Sequence, residues 1–172
     1  MEIQTKKKRC AWAKDALLID YHDHEYGRIK SDDNDLFEKL CLESFQAGLS
    51  WRTVLAKRDA FRRAFYGFDI KQCAALTDDY LDSLTQDKSI IRNRRKIYAV
   101  RGNARAALRA AAEHESLFRF LYGFKKPEAM YLALKQYGFV FVGKTICESF
   151  MQSVGMTEAH EPDCFLHTLP QG

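Results

Sequence analysis

The sequence predicts an all-α fold, and three observations support this prediction. The chain has only three prolines among its 172 residues, so long helices are permitted. Leucine and alanine are plentiful, whereas runs of β-branched residues are few. No internal repeat or low-complexity stretch interrupts the helical pattern. With 47% apolar and 29% charged residues, we expect a single domain over residues 1–172, with a flexible basic tail at about 1–8.

Eight helices are predicted from capping signals and apolar spacing. A Ser-Asp-Asp-Asn cluster at 31–34 precedes the first predicted helix, and Gly48 ends it. Thr77 caps the fourth predicted helix, whose first turn is acidic. The segment 123–127 is the predicted surface connection. The predicted ranges are 35–47, 50–65, 69–76, 77–84, 93–112, 115–122, 127–137 and 145–154.

Cysteine usage and hydropathy indicate a cytoplasmic protein. The five cysteines are odd in number and widely scattered, which argues against a disulfide framework and favours a reducing compartment. No apolar run approaches the ~18 residues that a membrane span needs. The N-terminal segment is basic but no apolar stretch follows it, so we expect no secretory signal.

Positive charge is clustered, although the net charge is only +4, from 27 basic and 23 acidic residues. One basic run covers residues 6–9, and six further basic residues lie between 92 and 105. Clustered lysine and arginine are typical of proteins that bind a phosphate backbone. A solvated helix face and a frayed tail explain the same charges equally well.

Two cysteines and two histidines at opposite ends of the chain make up a complete tetrahedral zinc set. They are Cys10 and His22 near the start, and His160 and Cys164 near the end. Residues four apart, as in the second pair, share one helical face or one tight turn. One shared zinc ion would join the two ends of the chain. The alternative is two ordinary buried thiols and two surface imidazoles.

Glu43 is the first candidate for chemistry. In the predicted helix 35–47, positions 36, 40, 43 and 47 share one face, so Glu43 lies at the edge of the buried stripe. We expect Glu38 and Lys39 to point away as surface charges. A carboxylate near a core is costly unless it is paired or used in function. A salt-bridged or helix-capping glutamate is the alternative.

Four aromatic residues lie in the same N-terminal third as Glu43: Trp12, Tyr21, Tyr26 and Trp51. Aromatic rings beside a carboxylate suit a flat, cationic ring, because the rings stack on its faces while the carboxylate accepts hydrogen bonds from its edge. An ordinary aromatic core is the alternative reading.

The segment 138–145 is a candidate anion-binding turn between two helices. It contains Gly143, Lys144 and Thr145, and we expect Thr145 to be the N-cap of the last helix. Such a turn presents backbone N–H groups and a helix N-terminus to a DNA phosphate. It partly resembles a helix-hairpin-helix element, which usually has two closely spaced glycines. A glycine helix turn without a ligand is the alternative.

Taken together, the segments carry a resemblance that runs in collinear order from Arg9 to Cys164. The matching stretches are 9–12, 21–27, 36–51 (LFEKLCLESFQAGLSW), 54–58, 90–97, 102–106 and 138–152, closed by His160 and Cys164. In this order they resemble the bacterial 3-methyladenine DNA glycosylase I family. The match covers nearly the whole chain.

The resemblance implies an all-α helix-hairpin-helix glycosylase fold whose terminal segments are joined by one structural Zn²⁺ on the four Cys and His residues. It implies a monofunctional enzyme that flips 3-methyladenine from duplex DNA and hydrolyses its glycosidic bond. We expect a monomer, which suits a base-flipping enzyme, and no membrane partner. The resemblance implies that Glu43 and Tyr21 form hydrogen bonds to the edge of the base, and that Trp51 and Trp12 stack on its faces, with Tyr26 also in the pocket. Gly48 and Leu49 would lie near the gap that the flipped base leaves in the duplex. Gly143, Lys144 and Thr145 would bind the phosphate backbone.

This chain also departs from the family pattern. Tyr26 stands where tryptophan is usual, and Ser44-Phe45 stands where glycine-glutamine is usual; both changes are expected to touch the pocket. The segment 124–137 is shorter than usual. One competing hypothesis is a non-catalytic relative that binds damaged or distorted duplex DNA. Another is a zinc hydrolase unrelated to DNA, but that class needs an open coordination position, which four protein ligands would close.

Overall fold

The fold is helical throughout the part of the chain that the structure describes. This computed structural model describes residues 6–168, in which there are ten α-helices and no β-strand, so the all-α prediction is confirmed there. A 3₁₀ turn lies at Tyr66–Phe68. The helices are α1 Ala16–His24, α2 Asp33–Phe45, α3 Trp51–Ala56, α4 Arg58–Ala64, α5 Ile70–Ala74, α6 Asp78–Leu84, α7 Arg94–His114, α8 Leu117–Tyr122, α9 Pro127–Tyr137 and α10 Lys144–Ser153.

Two features of the N-terminal half differ from the sequence prediction. Helix α1 was not predicted, although Asp15 is its N-cap and its carboxylate accepts a hydrogen bond from Leu18 N. The single helix expected over 50–65 is two helices, α3 and α4, because the backbone at Lys57 leaves the helical region (φ −96°, ψ 1°). The segment 50–65 contains neither glycine nor proline, so no residue type marked this break.

Helix α2 lies in the centre of the molecule. Every residue from Leu36 to Phe45 is buried, on all sides of the helix. The expectation that Glu38 and Lys39 are surface charges is therefore wrong: they are only 8% and 3% exposed. Because α2 contacts neighbours all round, it has no solvent face for these charges. The Glu38 carboxylate is instead held by the Arg62 guanidinium at 2.7 Å.

The main apolar core draws on every helix from α2 to α10, between Leu36 and Val154. A second, smaller cluster joins α1 to α3, with Leu18, Tyr21 and Leu55 buried at its centre. Trp51 packs against both clusters. The boundary between the two clusters is where the candidate site forms.

The two ends of the described chain meet. The amide of Phe165 donates to the carbonyl of Lys8 at 2.8 Å, and the Lys8 ammonium is paired with Asp163. Residues 1–5 of the tail expected at about 1–8 lie outside the described residues. Within 6–168, no helix has both the length and the apolar character needed to cross a bilayer.

Candidate active site and metal cluster

A cavity of about 320 Å³ lies between α1, α2, α3 and α10. Its walls include Glu43, both tryptophans and the two tyrosines that the sequence singled out, so the structure brings these five residues together. Sequence reasoning did not select the remaining lining residues, most of which are polar. They are Leu18, Gln46, Ser50, Arg52, Ser149 and Gln152.

The Glu43 carboxylate is buried in the wall of this cavity, with 4% of the residue exposed. One oxygen, Oε1, lies 3.5 Å from the Lys39 ammonium. The other, Oε2, is buried without a hydrogen-bond partner among the described residues. Burial raises the pKa of Glu43, and the nearby Lys39 charge opposes that rise. A buried acceptor without a partner is costly, and a ligand with an N–H group would satisfy it.

The aromatic rings form the other walls. The Trp12 and Tyr26 rings meet edge to face, with centroids 5.0 Å apart and an interplanar angle of 84°. The Tyr21 and Trp51 rings are tilted by 46° at 5.5 Å. Trp51 Nε1 is a buried donor that has no partner among residues 6–168. The residues of the cavity wall therefore combine aromatic rings with one buried acceptor and one buried donor that lack partners among residues 6–168, which suits a flat heteroaromatic ligand.

Lys39 is the main residue of this site that sequence reasoning missed. Its ammonium donates to the Tyr21 hydroxyl oxygen and lies 3.6 Å from the centroid of the Trp51 ring. Burial lowers the pKa of Lys39 to about 8, against the opposing effect of Glu43. The available signal was spacing: Lys39 precedes Glu43 by four residues and therefore shares its side of α2.

The departure at Ser44-Phe45 does not touch the cavity, contrary to expectation. The Ser44 hydroxyl donates to the carbonyl of Leu40 at 2.9 Å, within the helix itself. The Phe45 ring lies in the main core, 4.6 Å from that of Phe61. Helical periodicity explains this, since Ser44 and Phe45 point away from the side of α2 that carries Glu43. Tyr26, the other departure, does line the cavity.

The four predicted metal ligands converge on one point. The ligand atoms of Cys10, His22, His160 and Cys164 all lie within 4.8 Å of one another. His22 Nε2 is 3.3 Å from His160 Nδ1, and Cys164 Sγ is 3.4 Å and 3.7 Å from these two nitrogens. Tetrahedral zinc separates two nitrogen ligands by about 3.3 Å and nitrogen from sulfur by about 3.5 Å. The donor set and its spacing therefore fit a zinc ion.

The surroundings of the cluster are those of a metal site. His22 Nδ1 lies 2.8 Å from Asp23 Oδ1, which fixes the ring so that Nε2 faces the cluster. The Arg9 guanidinium binds the same carboxylate at 2.8 Å and holds the pKa of Asp23 well below its usual range. His160 Nε2 lies 3.2 Å from the carbonyl oxygen of Tyr26, so the segment that carries Tyr26 contacts both the cluster and the cavity.

The turn between α9 and α10 is fixed by a buried amide. Asn103, on α7, accepts from Val140 N at 2.9 Å and donates to Val140 O at 3.0 Å. The expected N-cap at Thr145 is wrong: Gly143 is the N-cap, without a side-chain capping bond. Thr145 instead lies in the first turn of α10, whose N–H groups have no partners within the helix.

Helix α10 links this turn to the cavity. Thr145, Ser149 and Gln152 are spaced at i, i+4 and i+7, so they share one face of the helix. The last two line the cavity. Between α2 and α3, Gly48 has a positive φ of 79°, and Leu49 is 42% exposed beside the cavity residue Ser50. The exposed Leu49 side chain thus lies near the cavity, and α10 leads from its N-terminal turn to two of the cavity residues.

Comparison with known proteins gives one consistent result. A profile described as methyladenine glycosylase matches residues 11–131 and 124–167. The DNA-3-methyladenine glycosylase of Haemophilus influenzae is 41% identical over 177 residues, covering 91% of this chain and 96% of that protein.

Solved structures show the same similarity in three dimensions. A crystal structure of a 3-methyladenine DNA glycosylase I superposes with a TM-score of 0.89 at 41% identity, covering 94% of this chain and all of the other. A variant of a 3-methyladenine DNA glycosylase I, crystallised in complex with 3-methyladenine, gives a TM-score of 0.89 at 31% identity, covering 94% and 98%.

Proposed function

This chain belongs to the methyladenine glycosylase family, and on that premise we propose that it excises 3-methyladenine from duplex DNA by hydrolysing the N-glycosidic bond. The observation that carries the proposal is the buried Glu43 carboxylate in the wall of an aromatic cavity, whose Oε2 has no partner among the described residues. We propose that the protein acts as a monomer in the bacterial cytoplasm.

The cavity residues suit an alkylated adenine that has been flipped out of the duplex. Glu43 Oε2 accepts a hydrogen bond from the exocyclic amine of the base. Because the Tyr21 hydroxyl oxygen already accepts from Lys39, its hydrogen is available to donate to a ring nitrogen. Trp51 and Trp12 offer ring faces for stacking, and Tyr26 closes the wall behind them. Stacking and edge recognition are how enzymes hold a flipped base.

The chemistry requires little from the protein because methylation at N3 places a positive charge on the base and weakens the glycosidic bond. As that bond breaks, the positive charge moves from the base to the sugar. Glu43 holds the base by its exocyclic amine, and the cavity, once the base fills it, excludes bulk water from around the base. A water molecule then completes the hydrolysis. We propose no strand cleavage, since the Lys39 ammonium is buried and engaged with Glu43 and Tyr21.

Helix α10 and the turn before it are proposed to bind the DNA backbone as a helix-hairpin-helix element. Gly143 and Thr145 offer free N–H groups at the helix N-terminus, and Lys144 is exposed beside them. Gly48 and Leu49 approach the gap that the flipped base leaves, because Leu49 is exposed next to the cavity. One face of α10 thus connects phosphate binding to the base pocket.

A single structural Zn²⁺ is proposed at Cys10, His22, His160 and Cys164. Four protein ligands leave no open position for a substrate, so the metal supplies a cross-link and not a reaction step. Asp23 orients His22, and the amide of Glu161 donates to Cys10 Sγ at 3.2 Å. The cross-link holds the segment that carries Trp12 and Tyr26 against the C-terminal segment.

The direct test is release of free base from methylated duplex DNA, resolved by chromatography. We expect the unmodified protein to release 3-methyladenine and Glu43→Gln to release it at least about 100-fold more slowly, because an uncharged amide holds the cationic base more weakly and can turn its NH₂ group towards the exocyclic amine. Duplex binding should persist in Glu43→Gln. The matched control is Glu38→Gln, which removes a buried carboxylate from the same helix outside the cavity and should retain activity. If the unmodified protein binds duplex DNA but releases no base, that result would instead support a non-catalytic DNA-binding role.

A further inference from the structure

Lys39 places a buried ammonium group directly against the proposed base pocket. It is 3% exposed, and its nitrogen contacts three of the groups assigned to base recognition. The nitrogen lies 3.5 Å from Glu43 Oε1 and 3.6 Å from the Trp51 ring centroid, and it donates to the Tyr21 hydroxyl. The function proposed for this chain uses this cation only to orient the Tyr21 hydroxyl.

We propose that Lys39 is a positioning residue that holds Glu43 through one oxygen and sets the net charge of the base pocket, and thereby its preference between cationic and neutral methylated purines. This inference rests on the proposed function. Its first part follows from the two carboxylate oxygens: Oε1 faces the ammonium, whereas Oε2 has no partner among residues 6–168. Lys39 thus leaves one oxygen available to the base.

The second part follows from the charges. With Lys39 protonated and Glu43 ionised, the pair carries no net charge. The ammonium also lies over Trp51, so it opposes the attraction between that ring and a stacked cation. A cationic base therefore gains little over a neutral one of the same shape. Loss of the Lys39 proton leaves a net charge of −1, which favours the cation.

The groups that face Lys39 allow this titration to occur near neutral pH. Burial lowers the pKa of Lys39 to about 8. Glu43 on α2 and Glu25 after α1 oppose the loss of the proton, while Lys30 in the following loop promotes it. Tyr21 stays a neutral phenol because burial raises its pKa well above the usual range. Arg58 on α4 is occupied by Glu25 at 2.7 Å.

The test compares two free bases that differ in charge: neutral 3-methyladenine and the 3,9-dimethyladeninium cation, in which a methyl group replaces the sugar. Dissociation constants are measured by titration calorimetry between pH 7 and 9.5. For the unmodified protein we expect the cation to gain about tenfold in affinity relative to the neutral base across this range. Binding of the cation near pH 8 should also release protons, detected with buffers of different ionisation enthalpy.

Lys39→Met retains the length of the side chain and removes the charge. We expect it to prefer the cation at every pH in the range, with no pH dependence in the affinity ratio and no proton release. Lys39→Arg, which remains charged throughout, should keep at every pH the affinity ratio that the unmodified protein shows at pH 7. The matched control is Lys30→Met, which removes a neighbouring charge that does not contact Glu43. It should retain the pH dependence, moved to higher pH because Lys30 no longer promotes loss of the Lys39 proton.

A purely structural role for Lys39 would weaken both bases alike and leave their ratio independent of pH. A constant ratio in the unmodified protein, or an unchanged profile in Lys39→Met, would overturn the inference while base binding itself remained. Failure of the unmodified protein to bind either base would overturn the proposed function and this inference with it. Melting temperatures of the variants establish that each one is folded.

Discussion

At the scale of single residues, the site depends on buried polar groups that lack partners among the described residues. Glu43 Oε2 and Trp51 Nε1 are both in this state. Leaving such groups without partners costs stability, of the order of 1–3 kcal/mol for each, and proteins accept this cost mainly at functional sites. The same cost explains why a base with complementary edge groups is expected to bind there.

Trp51 gives the residue-scale prediction. We expect Trp51→Ala to weaken binding of 3-methyladenine by about tenfold or more, because stacking on an aromatic ring contributes roughly 1–3 kcal/mol per base. Binding of undamaged duplex DNA should change less than about twofold, since the proposed backbone contacts lie on α10. Fluorescence titration with the free base measures the first quantity, and anisotropy with labelled duplex measures the second. Equal losses in both would show that Trp51 supports the fold and not the base.

At the scale of elements, helix periodicity explains both what was predicted and what was missed. It correctly placed Glu43 on a buried face of α2, because the apolar residues at 36 and 40 define that face. It wrongly placed Lys39 in solvent, because periodicity within one helix does not show how many neighbours surround it. Contacts from several other helices bury α2 on every side.

The turn between α9 and α10 gives the element-scale prediction. Asn103→Ala removes both hydrogen bonds to Val140 and should loosen the turn before the proposed phosphate-binding residues. We expect duplex affinity to fall about fivefold, because the turn must then be ordered on binding. Affinity for free 3-methyladenine should stay within about twofold, since the cavity is unchanged.

The control for this variant is Asn34→Ala. Asn34 Oδ1 accepts from Ile70 N at 3.0 Å, so its removal also breaks an amide-to-backbone bond between elements, but away from α10. We expect it to lower the melting temperature without changing duplex affinity. A comparable loss of DNA binding in both variants would assign the effect to general destabilisation.

At the scale of the whole molecule, the Cys/His cluster joins residues that are more than 130 positions apart in sequence. Its members come from the segment before α1, from α1 itself and from the segment after α10. The same N-terminal segment carries Trp12, and α1 carries Tyr21, so the cluster and the cavity share their supports. The proposed metal would stabilise the folded chain, because its four ligands come together only there.

Metal removal gives the whole-molecule prediction. We expect the purified protein to contain one zinc ion and Cys164→Ser to contain less than about a tenth of that. The melting temperature of the variant, or of protein treated with a strong chelator, should fall by about 10 °C. Cys73→Ser is the control. Cys73 is a buried thiol that donates a hydrogen bond to the Phe65 carbonyl, away from the cluster, so its substitution should not alter the metal content. Full zinc content in Cys164→Ser would exclude this ligand set.

The sequence by itself determined the fold class, most helix boundaries and the identity of the candidate ligands and pocket residues. Caps, apolar spacing and residue chemistry are local properties, and a collinear set of motifs carries the family resemblance. Only the tertiary structure decided that Lys39 is buried against Glu43, that Ser44 and Phe45 lie outside the cavity, and that Asn103 braces the turn before α10. Each of these depends on which helices surround a residue, and packing between distant segments is not encoded in the spacing within one of them.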